Sequence, residues 1–310
     1  MSDSVISLIC NPARPVLDAG LIDYVRAALT AADVQCTEEK VLSPGVALDL
    51  QVHAARETHA EEMKALRTSI ETALRSAPIN APIDVNVLPA DDRRKRLLVA
   101  DMDSTIIEQE CIDEIADFAG VKPQVAAITE RAMAGELDLA SALNERVQLL
   151  KGLKEDVLHA VINDRITLTP GAKTMATTMA AAGARLVLAS SGFSFFIEKV
   201  AARAGFHEAH GNVLGVADGE LTGGLAAKHF LGEDKAATLR AVRDERNIAA
   251  EATMAVGDGA NDLAMMDEAG LGVAFRAKPA VAAAADCRLT HADLTGVLYL
   301  QGYSDAEFVR

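Results

Sequence analysis

Apolar residues along this chain fall into short runs and helical stripes whose period switches several times. Residues 5–10 read as a strand, and residues 21–32 carry apolar positions at helical spacing. Residues 46–52 alternate as a strand does, 60–74 are helical, and 83–88 alternate again. The run Leu97–Ala100 is apolar throughout and stops abruptly at Asp101, which fits a strand buried on both faces of a parallel sheet. From there to about residue 169 the pattern is helical, over 106–118, 123–133, 137–150 and 154–162. In the first of these helices Ile107, Cys111, Ile115 and Phe118 share one face. After Pro170-Gly171 the chain alternates. A helix at 173–182 and a strand at 185–189 are followed by Ser190-Ser191-Gly192 and another helix. Residues 210–225 are Gly-rich and alternating, as in a hairpin, before a helix at 234–246 and strands at 253–256 and 271–275.

Successive strand–helix units imply an α/β fold with a doubly wound parallel sheet. A helical bundle inserted after the first core strand would lie over the strand ends as a cap, at approximately 106–169. The proline-bearing stretch 77–89 and the charged run after it mark a boundary. The expected division is therefore 1–90 and 91–310, in line with about two domains for this length. The βαββαβ-like order of residues 1–90 resembles the ferredoxin-like (α+β) fold of small-molecule-sensing ACT modules, in pattern only. Such a unit would bind an amino acid such as serine as a signal, or pair two chains into a homodimer.

Composition narrows the partners. Half of the 310 residues are apolar, enough for a real core, and the net charge of −15 argues against nucleic acid or an anionic membrane surface. The basic cluster Arg93-Arg94-Lys95-Arg96 is short and follows Asp91 and Asp92, so it reads as a solvated approach to the first core strand. No stretch approaches the roughly 18 to 20 apolar residues that span a bilayer, and residues 1–11 lack the pattern of a secretion signal. Cys10, Cys36, Cys111 and Cys287 lie far apart with no Cys-x-x-Cys pair, which suits buried thiols in a reducing cytoplasm.

Three core strands would end in polar loops on one edge of the sheet. The first places Asp101 and Asp103 two residues apart. Acids that close repel unless a cation intervenes or their pKa values separate. The second brings Ser190 and Ser191 to a helix start, a natural phosphate seat. The third carries Asp258, Asn261 and Asp262, oxygen donors of the kind magnesium prefers. Lys235, near the start of a helix, is a compact charge suited to phosphate oxygens. Singly, each has a plainer explanation as a turn, a cap or a surface lysine. Their joint order along the chain does not.

The set Asp101-Met-Asp103-Ser-Thr, Ser190-Ser191-Gly, Lys235 and Gly257-Asp-Gly-Ala-Asn-Asp262 resembles the haloacid dehalogenase (HAD) superfamily, with its Rossmannoid core. Glu110 in its Glu-Cys-Ile-Asp-Glu context, Arg131-Ala-Met133-Ala-Gly-Glu136 and Arg146 are similar, within it, to the phosphoserine phosphatase family, over about residues 96–300. The resemblance implies that Asp101 attacks phosphorus to form an aspartyl-phosphate and that Asp103 is the acid–base partner. It implies Mg2+ held by Asp101, the Asp103 carbonyl and Asp258. Ser190, Ser191, Lys235 and Asn261 would contact the phosphoryl group, with Asp262 supporting Lys235 or the metal's water. Glu110 and Arg146 would take the ammonium and carboxylate of O-phosphoserine, with Met133 beside them. Leu139, Ala142 and Asn144 depart from the family pattern, which points to a looser pocket. The alternatives are a phosphotransferase or a phosphatase for another small phosphomonoester, and a non-catalytic amino-acid sensor.

Overall fold

The computed structural model describes residues 3–53, 60–76, 81–133 and 135–310. The N-terminal stretch forms β1 (Asp3–Cys10), α1 (Ala19–Ala31), β2 (Gln35–Ser43), β3 (Ala47–His53), α2 (Ala60–Arg75) and β4 (Ile83–Pro89). Its sheet is antiparallel in the order β2-β3-β1-β4, the ferredoxin-like arrangement expected from the pattern. Asp18 caps α1 by accepting from the Leu21 N–H at 2.9 Å, and Leu21, Val25, Ala28 and Leu29 form its buried stripe. Strand β2 went unseen in the sequence. Apart from the half-buried Cys36 its residues are exposed up to Val41, so no apolar alternation marks it, and pairing with β3 makes it a strand.

The second body begins with β5 (Leu97–Ala100), a wide turn at Met102–Ile106, and the helices α3 (Cys111–Phe118), α4 (Lys122–Met133), α5 (Leu139–Gln148) and α6 (Asp156–Asp164). It continues through α7 (Ala172–Ala181), β6 (Arg185–Phe193), α8 (Ser194–Ala204), β7 (Glu208–Asn212), β8 (Leu214–Ala217) and β9 (Glu220–Leu225). Then come α9 (Gly232–Glu245), β10 (Thr253–Gly257), α10 (Leu263–Glu268), β11 (Gly272–Phe275), α11 (Pro279–Ala284), β12 (Cys287–Leu289) and α12 (Gly296–Leu300). Six strands form a parallel sheet in the order β12-β11-β10-β5-β6-β7.

Strand β5 lies inside this sheet and is fully buried. Leu97 and Val99 join the apolar core on one face, and Leu98 and Ala100 the core on the other. That double burial is why its sequence is a run and not an alternation. The strand order reverses between β5 and β10, and a crevice opens at such a point beyond the strand ends.

Helices α3–α6 cover that edge. The chain leaves and rejoins the core through two facing stretches, where Ile107 bridges Leu168 and the Thr169 N–H donates to Ile106 at 2.9 Å. The β8–β9 hairpin clasps the far end of the cap: Gly152 donates to the Leu221 carbonyl and Leu221 to that of Leu153, both at 2.8 Å.

Two local expectations are corrected here. The helix expected over 106–118 starts only at Cys111, because the wide turn takes up the preceding residues with Asp103 extended and Ser104 left-handed. Ser190 and Ser191 are not at a helix start. Strand β6 continues through them to Phe193 with an irregular register against β7, and α8 begins at Ser194.

The two sheets are joined by buried polar contacts. Asp84, 3 % exposed, accepts from the backbone N–H groups of Thr290, His291 and Ala292 at 2.8, 3.0 and 2.9 Å. Arg93 pairs with Asp49 at 2.6 Å and donates to the carbonyls of Tyr299 and Leu300. Asp84→Ala leaves three donors without their acceptor, so unfolding free energy should fall by about 3 kcal/mol. A urea titration checks this; a loss under about 0.5 kcal/mol would mean that water replaces the carboxylate.

Candidate active site

Three adjacent strand ends, β10, β5 and β6, deliver the polar residues that the sequence singled out. Asp101 follows β5 directly, its N–H donating to the Val256 carbonyl at 2.9 Å, and the residue is buried, 4 % exposed. Lys235, at the start of α9, is fully buried and reaches Asp101 at 2.7 Å and Asp262 at 2.6 Å. Burial alone would lower the lysine pKa, but the two carboxylates outweigh it and hold the ammonium charged. Asp262 also accepts from the N–H groups of Asp258 and Gly259 at 3.2 and 3.0 Å, which shapes the Gly257–Asp262 loop. A Cβ at Gly257 would lie 2.4 Å from the Asp262 carboxylate, so only glycine fits there.

Asp258 stands opposite. Burial, followed by the charges of Asp101, Asp262 and Glu110, raises its pKa to about 7. Asp262 is raised to about 6 by burial and Asp101, against the pull of Lys235. Asp101, Asp258 and Asp262 each offer an oxygen within 4.8 Å of the others. Burial first, and then the negative charge that three carboxylates leave beside one ammonium, make two of them resist ionisation. An all-oxygen donor set with that surplus fits a hard divalent cation such as magnesium.

Asp103 lies two residues beyond Asp101 in extended backbone. Its pKa is pushed well above the carboxylate range, by burial first and then by Glu110 and Asp101. Gly192 packs against it, and a Cβ there would come within 3.1 Å of Asp103 Oδ2 and 3.3 Å of Ser190 Oγ. Ser190, 2 % exposed, accepts from the Gly192 N–H at 3.1 Å, while the buried Ser191 hydroxyl has no partner among the described residues.

Eight of the residues expected from the sequence line one cavity of about 380 Å³ beneath the cap, Asp101, Asp103, Glu110, Arg146, Ser190, Ser191, Asp258 and Asn261, while Lys235 and Asp262 are buried behind it. Lys235 lies behind Asp101, reaching the site through that carboxylate. Glu110 sits just before α3 and accepts from the Ser104 hydroxyl at 2.7 Å; its pKa is raised, chiefly by burial. Arg146, on α5, donates through Nε to the Ala142 carbonyl at 3.2 Å. No carboxylate among the described residues forms an ion pair with it, and burial lowers its pKa against the attraction of Glu110, Asp113 and Asp103. Leu139 lines the same cavity and is 55 % exposed, whereas Asn144 meets His229 at 2.9 Å, tying the cap to the core. The side chain of Met133 lies outside the described residues.

Sequence reasoning missed four participants. Lys278 enters from the loop after β11, a strand end whose Lys-Pro step before a helix was the available signal. Asp113 lines the cavity one turn into α3, and Thr105 reaches Asp258 at 3.5 Å. Ser104, the fourth, stood with Thr105 in the Asp101-Met-Asp103-Ser-Thr motif but was given no role of its own.

Fold and site together define a hydrolase: the family model described as haloacid dehalogenase-like hydrolase matches residues 98–267, and the chain is an enzyme of that family. A phosphoserine phosphatase from Saccharomyces cerevisiae is 36 % identical over 315 residues, spanning 99 % of this chain and 98 % of its own. A probable phosphoserine phosphatase from Schizosaccharomyces pombe is 46 % identical over 216 residues, 69 % of this chain and 72 % of its own. The unliganded crystal structure of a probable phosphoserine phosphatase from Vibrio cholerae superimposes with a TM-score of 0.76 at 31 % identity, covering 98 % of this chain and 88 % of that one. The chain belongs to the phosphoserine phosphatase family.

Proposed function

We propose that this enzyme hydrolyses O-phospho-L-serine to L-serine and phosphate with Mg2+, the closing step of serine biosynthesis. One observation carries the reading: the strand-end acids and the cap-borne pair Glu110 and Arg146 line a single cavity. A phosphate reaching Asp101 would leave its amino-acid end between those two charges. Arg146 offers a planar fork to the carboxylate, and Glu110 accepts from the ammonium.

Asp101 attacks phosphorus and the seryl oxygen departs, taking a proton from Asp103. Asp103 then removes a proton from the water that attacks the aspartyl-phosphate, which releases phosphate and restores both acids. Ser190, the Ser191 N–H and Asn261 would hold the phosphoryl oxygens, and Lys235, packed against Asp101, would add its charge at the oxygen nearest that carboxylate. Asp101, the Asp103 carbonyl and Asp258 would hold magnesium, with Asp262 close enough to share. Bound there, the ion neutralises the crowded acids and orients the phosphoryl group. The same reading takes residues 1–90 as an ACT-like domain, 91–310 as the phosphatase and about 106–169 as its cap. It includes a cytoplasmic enzyme, consistent with four free cysteines, and a homodimer through the N-terminal domain, for which the exposed edge strand β2 offers a surface.

The test is turnover of a panel of phosphomonoesters with magnesium and with a chelator. L-phosphoserine should exceed phospho-sugars in kcat/KM by at least tenfold, about 1.4 kcal/mol, and chelation should abolish turnover reversibly. The exposed Leu139 at the cavity favours the second reading, a broader phosphomonoesterase, which a flat panel would support. Undiminished activity in chelator would sink the metal.

Ser104 supplies a finer check. It stands at φ 55°, a strained position for a residue with a side chain, and spends its hydroxyl on Glu110. In Ser104→Ala the ammonium-binding carboxylate loses its anchor. KM for phosphoserine should rise about tenfold with kcat nearly unchanged, the scale of one hydrogen bond to a charged group.

A further inference from the structure

A second crevice, of about 390 Å³, lies between α2 and the end of α11, remote from the catalytic acids. Its walls are apolar, built from Leu88, Leu271 and Ala284, and Lys64 and Arg67 converge on it from α2. Arg67 is only 6 % exposed. It donates from Nη1 to the Asp286 carbonyl at 3.2 Å, and its Nε has no acceptor. No carboxylate among the described residues forms an ion pair with it. Glu71 is engaged by Arg288, and the Asp286 carboxylate accepts from the Gly272 N–H at 2.8 Å. A buried guanidinium without a direct ion pair is costly: desolvation and the neighbouring Arg288 disfavour its charge, and Glu71 and Asp286 attract it only from a distance. Lys64 spends its ammonium on the Ala283 carbonyl at 3.3 Å, an exposed contact that an anion can replace.

We propose that this crevice is a binding site for a small carboxylate with an apolar body. The carboxylate would meet the planar fork of Arg67 and the ammonium of Lys64, and the body would lie against Leu88, Leu271 and Ala284. A carboxylate suits the site better than a phosphate dianion, because most of the wall offers no donors and the Asp286 carboxylate stands on its edge.

The probe is isobutyrate, with isobutyramide as its neutral isostere, titrated calorimetrically into the full-length protein. Isobutyrate should bind and raise the melting temperature, and isobutyramide should do neither. Arg67→Met should weaken isobutyrate at least about tenfold and Lys64→Gln about threefold, as expected for charged hydrogen bonds. Without ligand, Arg67→Met should melt no lower than the parent, since an apolar side chain replaces an uncompensated charge. Equal binding of acid and amide, or undiminished binding by both variants, overturns the site. An Arg67→Met chain that melts several degrees lower or does not fold also overturns it, because Arg67 would then serve only to cap the Asp286 carbonyl.

Discussion

Asp101→Asn should reduce phosphoserine turnover by about 10⁴-fold or more, the scale on which removing a covalent nucleophile acts. The amide matches the carboxylate in shape but has no oxygen basic enough to attack phosphorus. The substitution also removes one of the two anions on Lys235 while leaving the 2.6 Å pair with Asp262, so the buried ammonium keeps a counter-ion and the fold survives. The variant should therefore retain its far-ultraviolet spectrum. Acid quenching of the parent enzyme during turnover of labelled phosphoserine should trap phosphate on the peptide containing Asp101, and the variant should trap none. Turnover within tenfold of the parent, or label on another peptide, would displace Asp101 from its role.

Asp103→Asn should cost less, about 10²- to 10⁴-fold, because it removes proton transfer and leaves the nucleophile in place. The loss should depend on the leaving group. A seryl oxygen departs poorly without a proton, whereas a nitrophenolate departs readily. With p-nitrophenyl phosphate the variant should form its aspartyl-phosphate quickly and then stall, since in the proposed mechanism Asp103 also activates the water of the second step. The expected signature is a burst of one nitrophenolate per active site followed by a slow phase. Equal losses for both substrates without a burst would assign the proton to another group. Glu110 is the candidate, as a carboxylate that faces the same cavity and whose charge raises the pKa of Asp103.

Much of the site was legible because its determinants are local. A strand buried on both faces must be an uninterrupted apolar run, and Leu97–Ala100 ends where the chain meets the crevice, so Asp101 and Asp103 announce themselves. The loop ending at Asp262 is recognisable for the same reason. Its glycines and acids serve one turn, in which the Asp262 carboxylate folds back on two backbone N–H groups. The elements that escaped notice are those whose sequence carries no burial pattern. Strand β2 is polar and exists through its partner β3, and β12 is three residues long against the edge of the parallel sheet. Strand β6 runs past Ser190 because β7 receives it, which no propensity of a Ser-Ser-Gly stretch foretells.

By itself, then, the sequence determined which groups this enzyme has for chemistry and in which order the strands present them, since apolar period and turn composition act over a few residues. Tertiary structure alone decided which charges meet. It drew Lys235 from a distant helix between Asp101 and Asp262, brought Glu110 and Arg146 of the cap over the acids, and left Arg67 buried without a direct ion pair among the described residues. Electrostatic energy depends on distance and on excluded water, and neither exists until the sheet, the cap and the N-terminal body have packed.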